Sequence, residues 1–249
     1  MTATPDAGDT PRALLHKSYA DWTEADIWAV FASAIAKDAP LPGIEALLAE
    51  HRATFSDALA QVRGEHAACR PRYFRAADGR PLVNPLNLEH FLRLLHQFQW
   101  RLHEQGAPEP LLDSLFWVMK GRCGINLFYR QKVGAFFFAL HALGTVIGYG
   151  DFGDFMILTQ ACTIGHNDGR YPVIGDGLYM SPGSSILGGC RIGRNVHLAT
   201  GALVIDRDIP DDVVVFGRGR DLTFKENSGQ WVRNFFDFEL LNITRGINF

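Results

Sequence analysis

The sequence predicts an α+β chain, with helices over the first half followed by a parallel β-helix of six-residue repeats. Two observations lead there. Across residues 173–206 an aliphatic residue or methionine returns at every sixth position, at Ile174, Met180, Ile186, Ile192, Leu198 and Val204. A helix repeats at 3.6 residues and a half-buried strand at 2, so neither produces this spacing. Before about residue 121, by contrast, apolar residues recur at i, i+3, i+4 and i+7, the spacing of helices that bury one face.

The first helix lies in "TEADIWAVFASAIAKDAP": Thr23 is the N-cap, Ile27, Val30, Phe31 and Ile35 share a face, and the pattern runs out at Pro40. Residues 43–68 carry one or two further amphipathic helices, and "PRYFRAADGRPLVNP" at 71–85 is a connector broken by glycine and proline. In "NLEHFLRLLHQFQWRLHEQG" Asn87 caps, Phe91, Leu94, Leu95, Phe98 and Leu102 form the buried stripe, and Gly106 stops the helix. The helical pattern vanishes at 121–124, which predicts a helical domain over 1–122, a repeat domain over 123–222 and a tail over 223–249. In the tail, Trp231, Phe235, Phe236, Phe238 and Leu240 are too apolar to be left in water, so it should pack on the body or on a neighbouring subunit.

Within the repeat, each anchor is usually followed four places on by a compact residue, as at Ser184, Cys190, Val196 and Ala202. One large and one small inward residue per hexad suit a short flat strand and a tight corner. Three hexads then close a triangular turn, and successive turns stack in parallel at about 4.8 Å. Upstream, Leu158 and Ile164 keep the spacing, Phe152 fits before them, and "VIG" at 146–148 fits with one residue missing.

Composition narrows the function classes. With 249 residues, 47% of them hydrophobic, the chain can bury a full core. A net charge of −3 and no basic run give no footprint for nucleic acid. The opening "MTATPDAGDTPRALL" lacks the basic and apolar regions of a secretory leader, and the most apolar run, 133–148, is shorter than a bilayer span. Four cysteines form no CxxC pair, so a reducing cytoplasm is expected. Cys162 and Cys190 fall at the compact inward position and should fill the coil as inert thiols.

The segments "INLFYRQKVGAFFFALHALGTVIG", "LTQACTIGH", "GRYPVIGDGLYMSPGSSILGG" and "CRIGRNVHLATGALVI" resemble, in that order, the motifs of hexapeptide-repeat acyltransferases, and among them serine acetyltransferases. The resemblance covers about residues 87–217. It implies a left-handed coil, which the period alone does not decide, since ordinary parallel crossovers are right-handed. It also implies acetyl-CoA as acyl donor. The family's catalytic histidine falls on His141, its orienting aspartate on Asn126 and its substrate-side arginine on Arg170. The histidine after that arginine is Tyr171 here, and the aspartate before the catalytic histidine is Leu140. His166, at the mouth of the 165–173 loop, is a candidate to compensate for the lost histidine, or simply a solvated loop residue. Gly183, Gly201 and Gly217 would lie along the donor groove.

Acetyl transfer from a thioester to a hydroxyl needs a base for the hydroxyl proton, and imidazole suits that task near neutral pH. His141 is therefore the expected base. Asn126 would orient its ring without supplying charge, which weakens base catalysis. Leu140 and Tyr171 replace groups that hold an amino acid in the family, and predict an apolar and aromatic pocket with Arg170 as its fixed charge. A saccharide or another small hydroxylated metabolite is then the expected acceptor, with serine as one alternative and a non-catalytic scaffold as another. Zinc is not expected, because His141, His166 and His197 are far apart with no close pair. The resemblance further implies a homotrimer, alone or paired into a hexamer. It gives little reason to expect a cysteine synthase partner, because the chain ends in Phe249 where the family docks an isoleucine.

Overall fold

The computed structural model describes Leu14 and residues 17–238. Helix α1 (Glu24–Asp38) begins where Thr23 accepts the Asp26 N–H and the Asp26 carboxylate accepts the Thr23 N–H, a capping box. The 43–68 stretch forms two helices, α2 (Ile44–Glu50) and α3 (Arg52–Ala67). In α4 (Leu88–Glu104) the Asn87 side chain accepts the N–H groups of Glu89 and His90. A further helix, α5 (Glu109–Cys123), ends at Gly124 in the left-handed region. Periodicity did not single it out: besides the buried stripe of Leu111, Leu115, Val118 and Met119 it carries Trp117, 62% exposed, on its outward side, which blurs the pattern. Phe31 centres the helical core, its ring 5.2 Å from Phe55, 5.3 Å from Phe91 and 5.7 Å from Phe98.

Strands follow at once. The first turn holds β1 (Ile125–Leu127) and β2 (Phe137–Ala139), and the next β3 (Thr145–Ile147), β4 (Asp151–Phe152) and β5 (Met156–Leu158). Then come β6 (Thr163–Gly165), β7 (Val173–Ile174), β8 (Tyr179–Met180), β9 (Ser185–Leu187), β10 (Arg191–Ile192), β11 (His197–Leu198) and β12 (Leu203–Ile205). They stack in parallel on three faces, β1-β3-β6-β9-β12, β2-β5-β8-β11 and β4-β7-β10. The solenoid has about 5 turns and is consistent with the left-handed winding implied by the resemblance.

Every anchor from Leu158 to Val204 is buried, as are Cys162, Ser184, Cys190, Val196 and Ala202 at the compact position. Tyr179 pairs with His197 and Ser185 with Leu203, both 18 positions on. Thr163 pairs with Ser185, 22 on, and the four extra residues are the turn at 167–170. Val146 pairs with Thr163, 17 on, which is the missing residue of "VIG". Close stacking dictates small corners: a Cβ on Gly193 would lie 2.6 Å from the Asp211 nitrogen.

The coil ends differently from the hexad pattern. β13 (Val213–Arg218) folds back on β14 (Asp221–Glu226) as an antiparallel hairpin. Helix α6 (Gln230–Phe235) then brings Val232 and Phe236 onto Phe138 and Ile157, the outward residues of β2 and β5, with Cys69 and Phe74 of the helical body completing this second apolar cluster. Trp231, Phe235 and Phe238 pack against it, whereas Leu240 lies outside the described residues. No helix among the described residues is long and apolar enough to cross a membrane.

A buried polar network ties the helices to the coil. Arg93 donates to Glu65 at 2.7 Å, both being almost wholly buried, and its guanidinium also reaches the Gly134 carbonyl in the first turn. Removing one buried partner strands the other charge, so Arg93→Ala should destabilise the fold by about 3–5 kcal/mol. Arg93→Met with Glu65→Leu, which removes both charges, should recover most of that loss. Urea unfolding of the three proteins checks this; a double variant no more stable than Arg93→Ala would mean the pair is not coupled.

Candidate active site

His141 occupies the corner between β2 and β3. It is 81% exposed, its backbone is held at φ +51°, and the corner closes through the Leu143 N–H to the His141 carbonyl. Beside it opens a cavity of about 300 Å³ lined by Asn87, Glu89, Leu92, Cys123, Ala139 and Leu143, among others. A Glu89 carboxylate oxygen lies 3.4 Å from His141 Nδ1 and accepts its backbone N–H at 3.3 Å. Sequence inspection gave no sign of this contact, because helix α4 and the coil corner are joined only by the fold. Cys123 shares the cavity, yet burial pushes its thiol up to about 12, which keeps it protonated and a poor nucleophile.

The edge that carries His141 continues up the coil. Leu143, Ala161, Gly183 and Gly201 stack there through the Ala161 N–H to Leu143, Gly183 N–H to Gln160 and Gly201 N–H to Pro182 bonds. Those amides are committed to stacking, so they are not free donors. What Gly183 and Gly201 leave is room: a Cβ on either would meet nothing within 4 Å. Gly217 differs, since a Cβ there would run into the Asp221 carbonyl across the hairpin. Its glycine is explained by that approach and by its backbone at φ +91°.

The other candidates stand elsewhere. Arg170 pairs with Asp206 at 2.9 Å. The Asn167 amide, then the Gly189 N–H and Arg170, hold that carboxyl below the ordinary range. Tyr171 lies with its ring 6.1 Å from Tyr149 and 5.5 Å from His166. This edge follows β3, whereas His141 precedes it, so within one chain the coil face separates the two groups. Leu140 points into the second apolar cluster with Phe138 and does not wall the cavity beside His141. Residues alternate sides along a strand, which sends Leu140 after Phe138 and turns it from the corner. Asn126, on the outward side of β1 in register with Val146, makes no hydrogen bond to His141 among the described residues.

His197 accepts from or donates to Ser181 Oγ at 2.8 Å and packs on Tyr179, far in the fold from His166 and Glu89-bound His141. Among the described residues no three histidine, cysteine or acidic side chains converge as metal ligands. A wider cavity, about 910 Å³, lies between α3 and α4 and holds none of the candidate residues. His141 and its smaller cavity are the stronger candidate, since among the described residues only there does an exposed imidazole meet a carboxylate.

No family model matches the chain. Over 99 residues, 38% of its length, the chain is 31% identical to a serine acetyltransferase of Bacillus licheniformis, and spans about half (45%) of that relative. In fold it is similar to the serine acetyltransferase of Neisseria gonorrhoeae, with a TM-score of 0.66 at 21% identity over 95% of this chain and 87% of the other; that enzyme has also been solved in complex with serine. A serine acetyltransferase in complex with CoA gives a TM-score of 0.64 at 16% identity over 85% and 87% of the two chains. In fold over most of its length, and in sequence over part of it, the chain is therefore similar to serine acetyltransferases, the hexapeptide-repeat acyltransferases to which its motifs pointed.

Proposed function

We propose that this chain is an acetyl-CoA-dependent O-acetyltransferase with serine as acceptor. The observation that carries the reading is His141, accessible at a coil corner over a cavity with a carboxylate against it. Similarity to serine acetyltransferases, one solved with CoA and one with serine, supports donor and acceptor. The acceptor hydroxyl gives its proton to His141 Nε2 as its oxygen attacks the thioester carbonyl. The carbon–sulfur bond then breaks, the departing sulfur takes the proton back, and an acetyl ester and free CoA thiol remain. The open shelf over Gly183 and Gly201, on the same edge as His141, suits the extended arm of the donor.

A saccharide acceptor was favoured by the expectation that an ammonium group would find no partner. Glu89 removes that ground by placing negative charge in the cavity. Because Arg170 and Tyr171 lie across a coil face from His141, a homotrimer, alone or paired into a hexamer, would let one chain's His141 edge face the next chain's Arg170 edge.

Free-thiol release from acetyl-CoA tests the acceptor, using serine, 3-hydroxypropionate, which lacks the ammonium group, and a saccharide panel. Serine should exceed 3-hydroxypropionate in kcat/KM by about 10–100-fold, the worth of one charge-assisted contact. Preference for a saccharide would overturn serine as acceptor. Thiol release with none of them would leave the non-catalytic scaffold.

A further inference from the structure

Glu89 is the second residue of α4, and its own N–H donates to the Asn87 side chain, so its backbone is fixed by the helix cap. From there a single carboxylate oxygen meets both the backbone N–H and Nδ1 of His141. The first contact is a hydrogen bond to the left-handed corner, and the second brings the carboxylate within ion-pair distance of the ring. Asn126 makes neither contact.

We infer that Glu89 is the positioning residue for His141. Its carboxylate, 3.4 Å from Nδ1, favours the proton on that nitrogen, leaves the Nε2 lone pair for the acceptor proton, and offsets the positive charge that the ring gains during transfer. This is the part that the resemblance assigns to position 126, supplied here from a helix N-terminus 52 residues before His141. The inference rests on the acetyltransferase reading.

Two other titratable groups face the pair. Tyr73 comes from the connector and Cys123 from α5; burial pushes both up, and the Glu89 charge adds to it. Arg122, next to Cys123, is engaged with Asp38. Neutral Tyr73 and Cys123 leave Glu89 as the charge that His141 meets.

Glu89→Gln keeps the shape and removes the charge. In the full chain it should lower kcat by about 10–100-fold with serine and also with 3-hydroxypropionate, and leave the KM for acetyl-CoA unchanged. The ring nitrogen NMR signals of His141 should also leave the Nδ1–H form, and Glu89→Asp should restore part of the rate. A loss confined to serine, with 3-hydroxypropionate turnover untouched, would make Glu89 an ammonium ligand only and overturn the inference, as would an unchanged tautomer. If the wild-type chain transfers no acetyl group, the functional reading falls, while the tautomer measurement still decides whether Glu89 orients His141.

Discussion

His141→Ala is expected to lower kcat by about 10²–10⁴ while leaving the KM for acetyl-CoA nearly unchanged, the effect of deleting a general base from an otherwise intact site. The residue is exposed, so the substitution opens no core cavity and thermal stability should stay close to wild type. Its backbone lies at φ +51°, a conformation asparagine tolerates better than alanine. His141→Asn therefore separates the loss of the base from any shift of the corner. Both variants should be slow to a similar degree, and thiol release under saturating donor measures it. Turnover near the wild-type rate in either would end the assignment of His141 as base.

The coil was legible in the sequence because stacking leaves so few choices. Each inward anchor must lie above the one before it, so the six-residue return at Ile174 through Val204 is also the list of buried residues. Even the irregular steps showed, as a residue lost at 146–148 and a loop gained after Gly165. Helix α5 was obscured because exposed Trp117 puts a large apolar residue on its outward side, and the β13–β14 hairpin because its six-residue strands carry no hexad rhythm. At the site, motif spacing led to His141 but not to its neighbour. Glu89 reaches it only because α4 docks against the first turn of the coil, a tertiary fact with no local period. Leu140 was misplaced for a related reason: its side follows from strand alternation, and the second apolar cluster it joins is completed by the tail.

Mild acid is expected to unfold the helical body, starting below about pH 6.5, because three histidines are buried in neutral form. His66 is pushed down to about 4, His90 to about 2 and His96 to about 3, chiefly by burial, with the Arg93 charge contributing for His66 and His96. Hydrogen bonds fix their states. Leu82 O lies 2.7 Å from His66 Nδ1, Gln131 O lies 3.0 Å from His96 Nε2, and His90 Nδ1 accepts the Asn84 N–H, so a proton there would break that bond. Above pH 6.5 these rings are neutral folded or unfolded and stability is full. As pH falls from there toward the folded values, only the unfolded chain takes up protons, so stability drops by about 1.4 kcal/mol per pH unit for each ring, or about 4 kcal/mol per unit for three. For a stability of about 5–10 kcal/mol, in the lower part of the typical range, the midpoint should fall between about pH 4 and 5.5. Urea unfolding at pH 7.5, 6 and 5 reads the slope, and His96→Gln should reduce it by one proton, since the amide can still serve the Gln131 carbonyl without titrating. A urea midpoint unchanged between pH 7.5 and 5 would show that these histidines are not held neutral by the fold.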